Sequence, residues 1–270
     1  MPVRYGFHLS ISGKLGIEGA ALEAELLGLT ALQIFAKSPR AWKTRALKGG
    51  ELEGFRARRE NLGGLPGVIH ASYLVNLASA DEELWGKSVF SLADDLAKAQ
   101  QLGVEYVCVH PGSGEGGRCL EGALKALTLA DVGRSGPRLL LENTAGGGEK
   151  LGSRLETLAA LIAGTPLGVC LDTCHAFAAG YPVDELVDTV ESTVGLANVP
   201  VIHFNDSAEE FGSEKDRHAN LSEGHIGGGL RTVLRDSRLE DKLFIMESQR
   251  GTREDAHNLR TIREWLGGKA

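Results

Sequence analysis

Residues 168–182 read GVCLDTCHAFAAGYP, an apolar run that closes on an aspartate and is followed within three positions by a cysteine and a histidine. Cys170, Asp172, Cys174 and His175 admit three readings: a metal site, a nucleophile with its base, or core residues beside a turn. Spacing alone does not choose among them, because C-x-x-x-C lacks the C-x-x-C knuckle of structural zinc and a Cys beside a His is common by chance. The run itself says more. It is near-continuously apolar rather than alternating, the pattern of a strand buried on both faces of a parallel sheet.

Seven other runs share that character: YGFHLS, TALQIFA, GVIHAS, EYVCVHPG, RLLLENT, PVIHFND and LFIMES. Most gaps between them hold a helix-like segment. Residues 81–103, DEELWGKSVFSLADDLAKAQQLG, open with acidic residues and close on glycine, as helix polarity prefers. VDELVDTVESTVGL and TREDAHNLRTIREWLGG carry apolar residues at helical spacing. Eight β-then-α units predict an α/β fold of the TIM (β/α)8-barrel type and disfavour a sandwich. No linker or low-complexity run divides the chain, so residues 1–270 read as one domain.

Composition narrows the class. No basic leader with an apolar core opens the sequence, and no apolar stretch approaches the ~18 residues of a membrane span, so a soluble, cytoplasmic and monomeric protein is expected. Four cysteines in 270 residues are too few for a disulfide scaffold, and Cys108 and Cys170 lie inside apolar runs where reduced packing thiols are usual. Scarce Met, Asn and Gln weakly suggest a heat-adapted source. A formal charge of −7 speaks, as an average, against a nucleic-acid partner. Against that average stands AKSPRAWKTRALKGG, residues 36–50, with Lys37, Arg40, Lys43, Arg45, Lys48 and Trp42 and no acidic residue. Such a stretch is either a solvated basic loop or one that tracks phosphates.

A (β/α)8 barrel keeps its active site at the C-terminal ends of its strands. The third run ends in His70, the fourth in His110, the fifth in Glu142, the sixth in Asp172 with His175 just beyond, the seventh in His203 and the eighth in Glu247. Asp216 and His218 follow in the loop after the seventh, two apart and hence co-directed in an extended segment. Six consecutive units thus bring metal-type ligands to one rim, using five of the eight histidines in the chain. Mixed imidazole and carboxylate donors suit Zn2+ or Mn2+, and nine ligands exceed the capacity of one tetrahedral ion, so two or three are expected. A multinuclear site of this kind activates water as hydroxide and clamps both oxygens of a phosphoryl displacement, which makes phosphoester hydrolysis the first expectation.

The motifs HASYLVNLAS, HPGSG, LENTAGGG, CLDTCHAFAAGY, HFNDS, DRHANLSEGHIG and MESQRG resemble, in order and over essentially the whole chain, those of the endonuclease IV family of apurinic/apyrimidinic endonucleases. The resemblance implies a trinuclear-zinc barrel that hydrolyses double-stranded DNA 5′ of abasic sites, leaving a 3′-hydroxyl and a 5′-deoxyribose phosphate, and that also removes 3′ blocking groups. It implies one zinc on His70, His110 and Glu142, a second on Glu142, Asp172, His203 and Glu247, and a third on His175, Asp216 and His218. Glu142 then bridges two ions beside a zinc-activated hydroxide and is the catalytic residue. Manganese is an alternative at one or more positions.

By the same resemblance Tyr73, Leu74 and Arg40 enter the base stack beside an extruded abasic nucleotide, while Lys37 and Trp42 belong to the phosphate-tracking loop. Cys170 and Cys174 read as packing, His8 as a group near the site, and His225 and His257 as structural or surface residues. The nearest rival is a metal-dependent sugar isomerase on the same barrel, and a second is a non-catalytic metal- or anion-binding barrel. Five histidine ligands and the basic loop argue against the first, and the second leaves a ring of ligands open to a rim loop suited to DNA unexplained.

Overall fold

In the computed structural model, which describes residues 3–133 and 135–267, each of the eight apolar runs is a strand. The remaining positions of the expected 1–270 domain lie outside the described residues. The strands are Arg4–Leu9, Leu32–Phe35, Gly67–His70, Tyr106–Val109, Arg138–Glu142, Gly168–Asp172, Val201–His203 and Leu243–Met246. All adjacent pairs are parallel, and the first strand pairs with both Leu32–Phe35 and Leu243–Met246, so the sheet closes into a barrel. Helices Gly16–Leu27, Gly49–Asn61, Glu82–Leu102, Gly116–Leu129, Leu155–Ile162, Leu186–Thr193, Leu230–Leu234 and Thr252–Trp265 separate the strands or follow the last. Among the described residues, no helix is long and apolar enough to cross a membrane.

Helix boundaries follow local chemistry. Asp81 accepts a hydrogen bond from Leu84 N at 2.8 Å and so caps Glu82–Leu102, and Gly103 ends it at φ 69°, a left-handed conformation that favours glycine. The eighth-unit helix starts at Thr252 with Glu254 and Asp255 in its first turn, facing the positive end of the helix dipole.

The barrel lumen has its own core, distinct from the larger one between strands and helices. Ala31, Val68, Cys108, Leu140, Cys170, Val201, Leu243 and Ile245 fill it. Side chains on a strand repeat with period two, so the next inward position above each of these layers is fixed. Those positions are Gln33, His70, His110, Glu142, Asp172, His203 and, from Ile245, Glu247. An apolar plug therefore lies beneath a polar ring, and strand register sets the ring's height: Asp172 pairs with His203 and Phe35 with His70.

Candidate metal centre

Glu142 sits at the middle of the ring and is fully buried. Its Oε2 lies 3.2 Å from His70 Nε2 and 3.7 Å from His110 Nε2, while its Oε1 lies 3.0 Å from His203 Nδ1 and 3.4 Å from His175 Nδ1. Burial alone pushes this carboxyl upward, but His110, His203 and His70 hold it well below the usual range. Glu247 Oε2 meets His203 Nδ1 at 3.1 Å, and Glu247 too is held below its ordinary value against burial by the histidines around it.

A helix start accounts for the cluster in residues 168–182. Asp172 ends the sixth strand and caps the six-residue helix Thr173–Ala178, its Oδ1 accepting from His175 N at 2.7 Å. The D-x-x-H spacing thereby turns His175 back over the rim. His175 Nδ1 donates to the Asn143 carbonyl at 2.9 Å, which leaves Nε2 on the side of Asp216 Oδ1, 3.1 Å away. Across the same space His218 Nε2 lies 3.3 Å from Asp216 Oδ1 and 3.4 Å from Asp172 Oδ2. Burial would lower the pKa of His175, but Asp172, Asp216 and Glu142 outweigh it and raise it to about 10, and Asp216 falls to about 2.

The donor atoms gather into sets in which every pair lies within 4.8 Å: His70, His110 and Glu142; Glu142, Asp172, His203 and Glu247; His175, Asp216 and His218. All nine ligands expected from the sequence fall in these three sets. The residues fit metal ions on two further observations. His175 Nε2 and His218 Nε2 are buried without a hydrogen-bond partner although a carboxylate oxygen lies 3.1 and 3.3 Å away, which leaves two ring nitrogens and a carboxylate gathered with no proton shared between them. His70 Nδ1 donates to the Ala71 carbonyl at 2.7 Å, which fixes the tautomer that leaves Nε2 free to ligate.

Three residues of the centre do not follow from the sequence. Gln33, fully buried, bonds through Oε1 to His203 Nε2 at 2.8 Å and donates through Nε2 to Glu247 Oε1 at 2.6 Å and His8 Nδ1 at 2.9 Å. Asn143 accepts from Asp172 N and donates to the Asp172 carbonyl, and Asn205 donates to Asp172 Oδ2 at 2.7 Å while accepting from Glu247 N at 2.7 Å. The available signal for Gln33 is a lone amide inside an apolar run, two positions beyond Ala31. Neutral amides in LENT and HFND give no comparable sign.

The rim loops join at Pro39, the residue before Arg40. Tyr73 N and Ser72 Oγ both donate to the Pro39 carbonyl, at 3.1 and 2.8 Å. Tyr73 is 55% exposed, stacked edge-on against Phe35 and His70, and it shares a 370 Å3 cavity with Leu74, His110, His175 and Asp216. Arg40 is exposed and Trp42 half-buried. Lys37 is a correction: it is 2% exposed and lies 3.2 Å from Asp94 and 2.8 Å from Asp95, with its ammonium also donating to the Ser91 carbonyl. A lysine so committed is not available to DNA phosphates. Arg45 is likewise engaged, bidentate to Glu51 at 2.7 and 2.8 Å. Arg40, Lys43 and Lys48 remain as the exposed cations of that loop.

His257 Nε2 bonds to the Leu221 carbonyl, and His225 is exposed, in keeping with structural and surface roles. All four cysteines are reduced and buried. Cys174 donates to the Arg217 carbonyl at 3.6 Å, although its sulfur also lies within 4.8 Å of donors from Asp172 and His218.

Barrel and rim together define the class: residues 21–267 match the family model of xylose isomerase-like TIM barrels. Within that class the sequence is 64% identical over 267 residues to an endonuclease 4 of Thermus thermophilus, covering 97% of this chain and 98% of that one. It is 38% identical to a probable endonuclease 4 of Chloroflexus aurantiacus, covering 98% and 99%. A crystal structure of endonuclease IV from Thermus thermophilus superposes with a TM-score of 0.95 at 63% identity, covering 98% of this chain and 99% of that one. The chain belongs to the endonuclease IV family and is a hydrolase of that type. A D-tagatose 3-epimerase-like protein shares the fold, with a TM-score of 0.77, at only 19% identity. Fold alone therefore does not separate nuclease from sugar chemistry; residues at the rim do.

Proposed function

We propose that this one-domain, monomeric, cytoplasmic protein is a DNA-repair endonuclease that hydrolyses the phosphodiester 5′ of abasic sites in duplex DNA, leaving a 3′-hydroxyl and a 5′-deoxyribose phosphate. The same centre clears blocked 3′ ends, since both reactions hydrolyse a phosphoester beside a 3′ oxygen. The observation that carries the reading is the convergence of three imidazole–carboxylate donor sets, joined through Glu142, on a rim from which Tyr73 projects.

Three divalent ions fit those sets, zinc foremost and manganese as an alternative, and when bound they supply Lewis acidity and water activation at a phosphoryl centre. His70, His110 and Glu142 would hold one, Glu142, Asp172, His203 and Glu247 a second, and His175, Asp216 and His218 the third. The chain's own contribution is orientation. Ala71 and Asn143 carbonyls fix the tautomers of His70 and His175, and Gln33 fixes that of His203 while steering Glu247. Phe35 and His70 brace the Tyr73 ring. An abasic nucleotide lacks a stacking base, so its extrusion costs less than that of an intact one, and Tyr73, Leu74 and Arg40 enter the base stack to fill the gap.

The test presents the metal-loaded protein with a duplex carrying one abasic site, and separately with a ketose. Incision of the duplex without sugar turnover is expected. Isomerisation of the sugar with no incision would overturn the reading.

A further inference from the structure

The plug beneath the polar ring contains two thiols at one height. Cys108 and Cys170 lie two residues before His110 and Asp172 on their strands and are fully buried in the lumen among Val68, Leu140 and Val201. Sulfur atoms of both and a ring nitrogen of His203 all lie within 4.8 Å of one another. Cys108 Sγ donates to Glu142 Oε2 at 3.2 Å, so a carboxylate borders the set on the Cys108 side. Two sulfurs and one imidazole form a three-donor set. With zinc–sulfur bonds of about 2.3 Å, ligands around one ion sit roughly 3.8 Å apart and a larger soft cation spaces them wider, so the observed spacing needs a contraction of about an ångström at most.

We propose that Cys108, Cys170 and His203 form a three-donor binding site for a thiophilic divalent cation of the cadmium or mercury class, one layer below the catalytic ions and in competition with them. Soft thiolates favour such a cation over the harder imidazole and carboxylate positions above. On binding, each S–H bond breaks, its proton leaves to solvent, and a metal–sulfur bond forms; two protons are released and no electron moves. A dication with two thiolates carries no net charge, which suits an apolar lumen that penalises a lone ion. Entry is through the rim cleft, since Glu142 lines it and is bonded to Cys108 below. The competition rests on the functional reading given above, because His203 cannot turn to the lower site and keep its place in the upper one. The other two cysteines offer no second thiolate: Cys119 packs in Gly116–Leu129, and Cys174 is grouped only with Asp172 and His218.

The zinc-loaded protein is titrated with Cd2+ without DNA, while thiolate-to-cadmium charge-transfer absorbance and released zinc are followed together. A band with the intensity of two thiolates at one cadmium per chain is expected, with zinc released in step. Cys108→Ser should cut the band by half or more, Cys108→Ser with Cys170→Ser should abolish it, and Cys174→Ser should leave it intact. No band in the wild type, or a band that disappears with Cys174→Ser, overturns the site; a full band with all zinc retained overturns the competition. Should the double variant not fold, cadmium NMR of the wild type decides: a sulfur-shifted resonance supports the site, and a resonance in the nitrogen–oxygen range alone refutes it. Neither readout involves DNA, so failure here leaves the endonuclease reading standing, and failure to incise abasic DNA leaves the thiolate band to be judged independently.

Discussion

Replacing Gln33 with leucine removes one amide and no metal ligand, yet it should unsettle the centre. The amide bonds to His203 Nε2 at 2.8 Å and Glu247 Oε1 at 2.6 Å from a fully buried position, so no water can substitute for it. Both partners belong to the set that Glu142 and Asp172 complete. Losing a group that orients a ligand typically costs 10- to 100-fold in metal affinity, about 1.4–2.7 kcal/mol. The His203 N–H left unpaired adds about 1–3 kcal/mol of desolvation to the folded state. Chelator competition followed by elemental analysis should therefore show one ion leaving 10- to 100-fold more readily than the others, with Gln33→Glu, which can still accept from His203, intermediate. Retention of every ion at wild-type affinity in Gln33→Leu would refute the assignment of an orienting role.

Tyr73→Ala with Leu74→Ala should keep metal content and melting temperature but weaken binding to an abasic duplex by about 1–3 kcal/mol more than to intact DNA, as measured at one fixed salt concentration. Equal loss on both duplexes would remove these residues from lesion recognition. Lys37→Ala should lower stability by about 3–5 kcal/mol, because the buried Asp95 loses its ammonium partner while Asp94 keeps Lys98 at 2.7 Å, and the salt dependence of DNA binding should stay unchanged. Arg45, together with the Ile17 N–H and against the pull of burial, lowers Glu51 to about 2. Since that folded value lies below the unfolded one, its stabilisation is present above pH ~4.5 and is lost as pH falls toward 2. Glu51→Gln should accordingly flatten the acid limb of the stability curve across that window, and an unchanged limb would contradict the pairing.

The barrel is legible because eight runs buried on both faces leave little alternative, and the ligand ring is legible because ionisable residues at the ends of apolar runs stand out. Period two explains both: each ring residue follows a lumen residue by two positions, from Val68 and His70 to Ile245 and Glu247. What escapes are contacts whose partners are distant in sequence or uncharged. Lys37 reads as a phosphate-tracking cation because nothing in residues 36–50 reveals that Asp94 and Asp95, on Glu82–Leu102, pack beneath it. Gln33, Asn143 and Asn205 escape because an amide near a strand end has many structural uses, and only the fold shows which ligand each one holds. Cys108 and Cys170 read as packing from apolar context, and that context holds; their mutual approach depends on barrel closure, which brings the fourth and sixth strands to one lumen.

Whether a centre organised around Glu142 cuts abasic DNA is decided by incision of an end-labelled duplex with a single abasic site, with the metal-loaded protein assayed beside its Glu142→Gln variant. The wild type should cut 5′ of the lesion and leave a 3′-hydroxyl that a polymerase can extend, while the variant binds the same duplex and cuts roughly a thousandfold more slowly or worse. Near-normal turnover by Glu142→Gln, or a wild-type product without an extendable 3′ end, would contradict it.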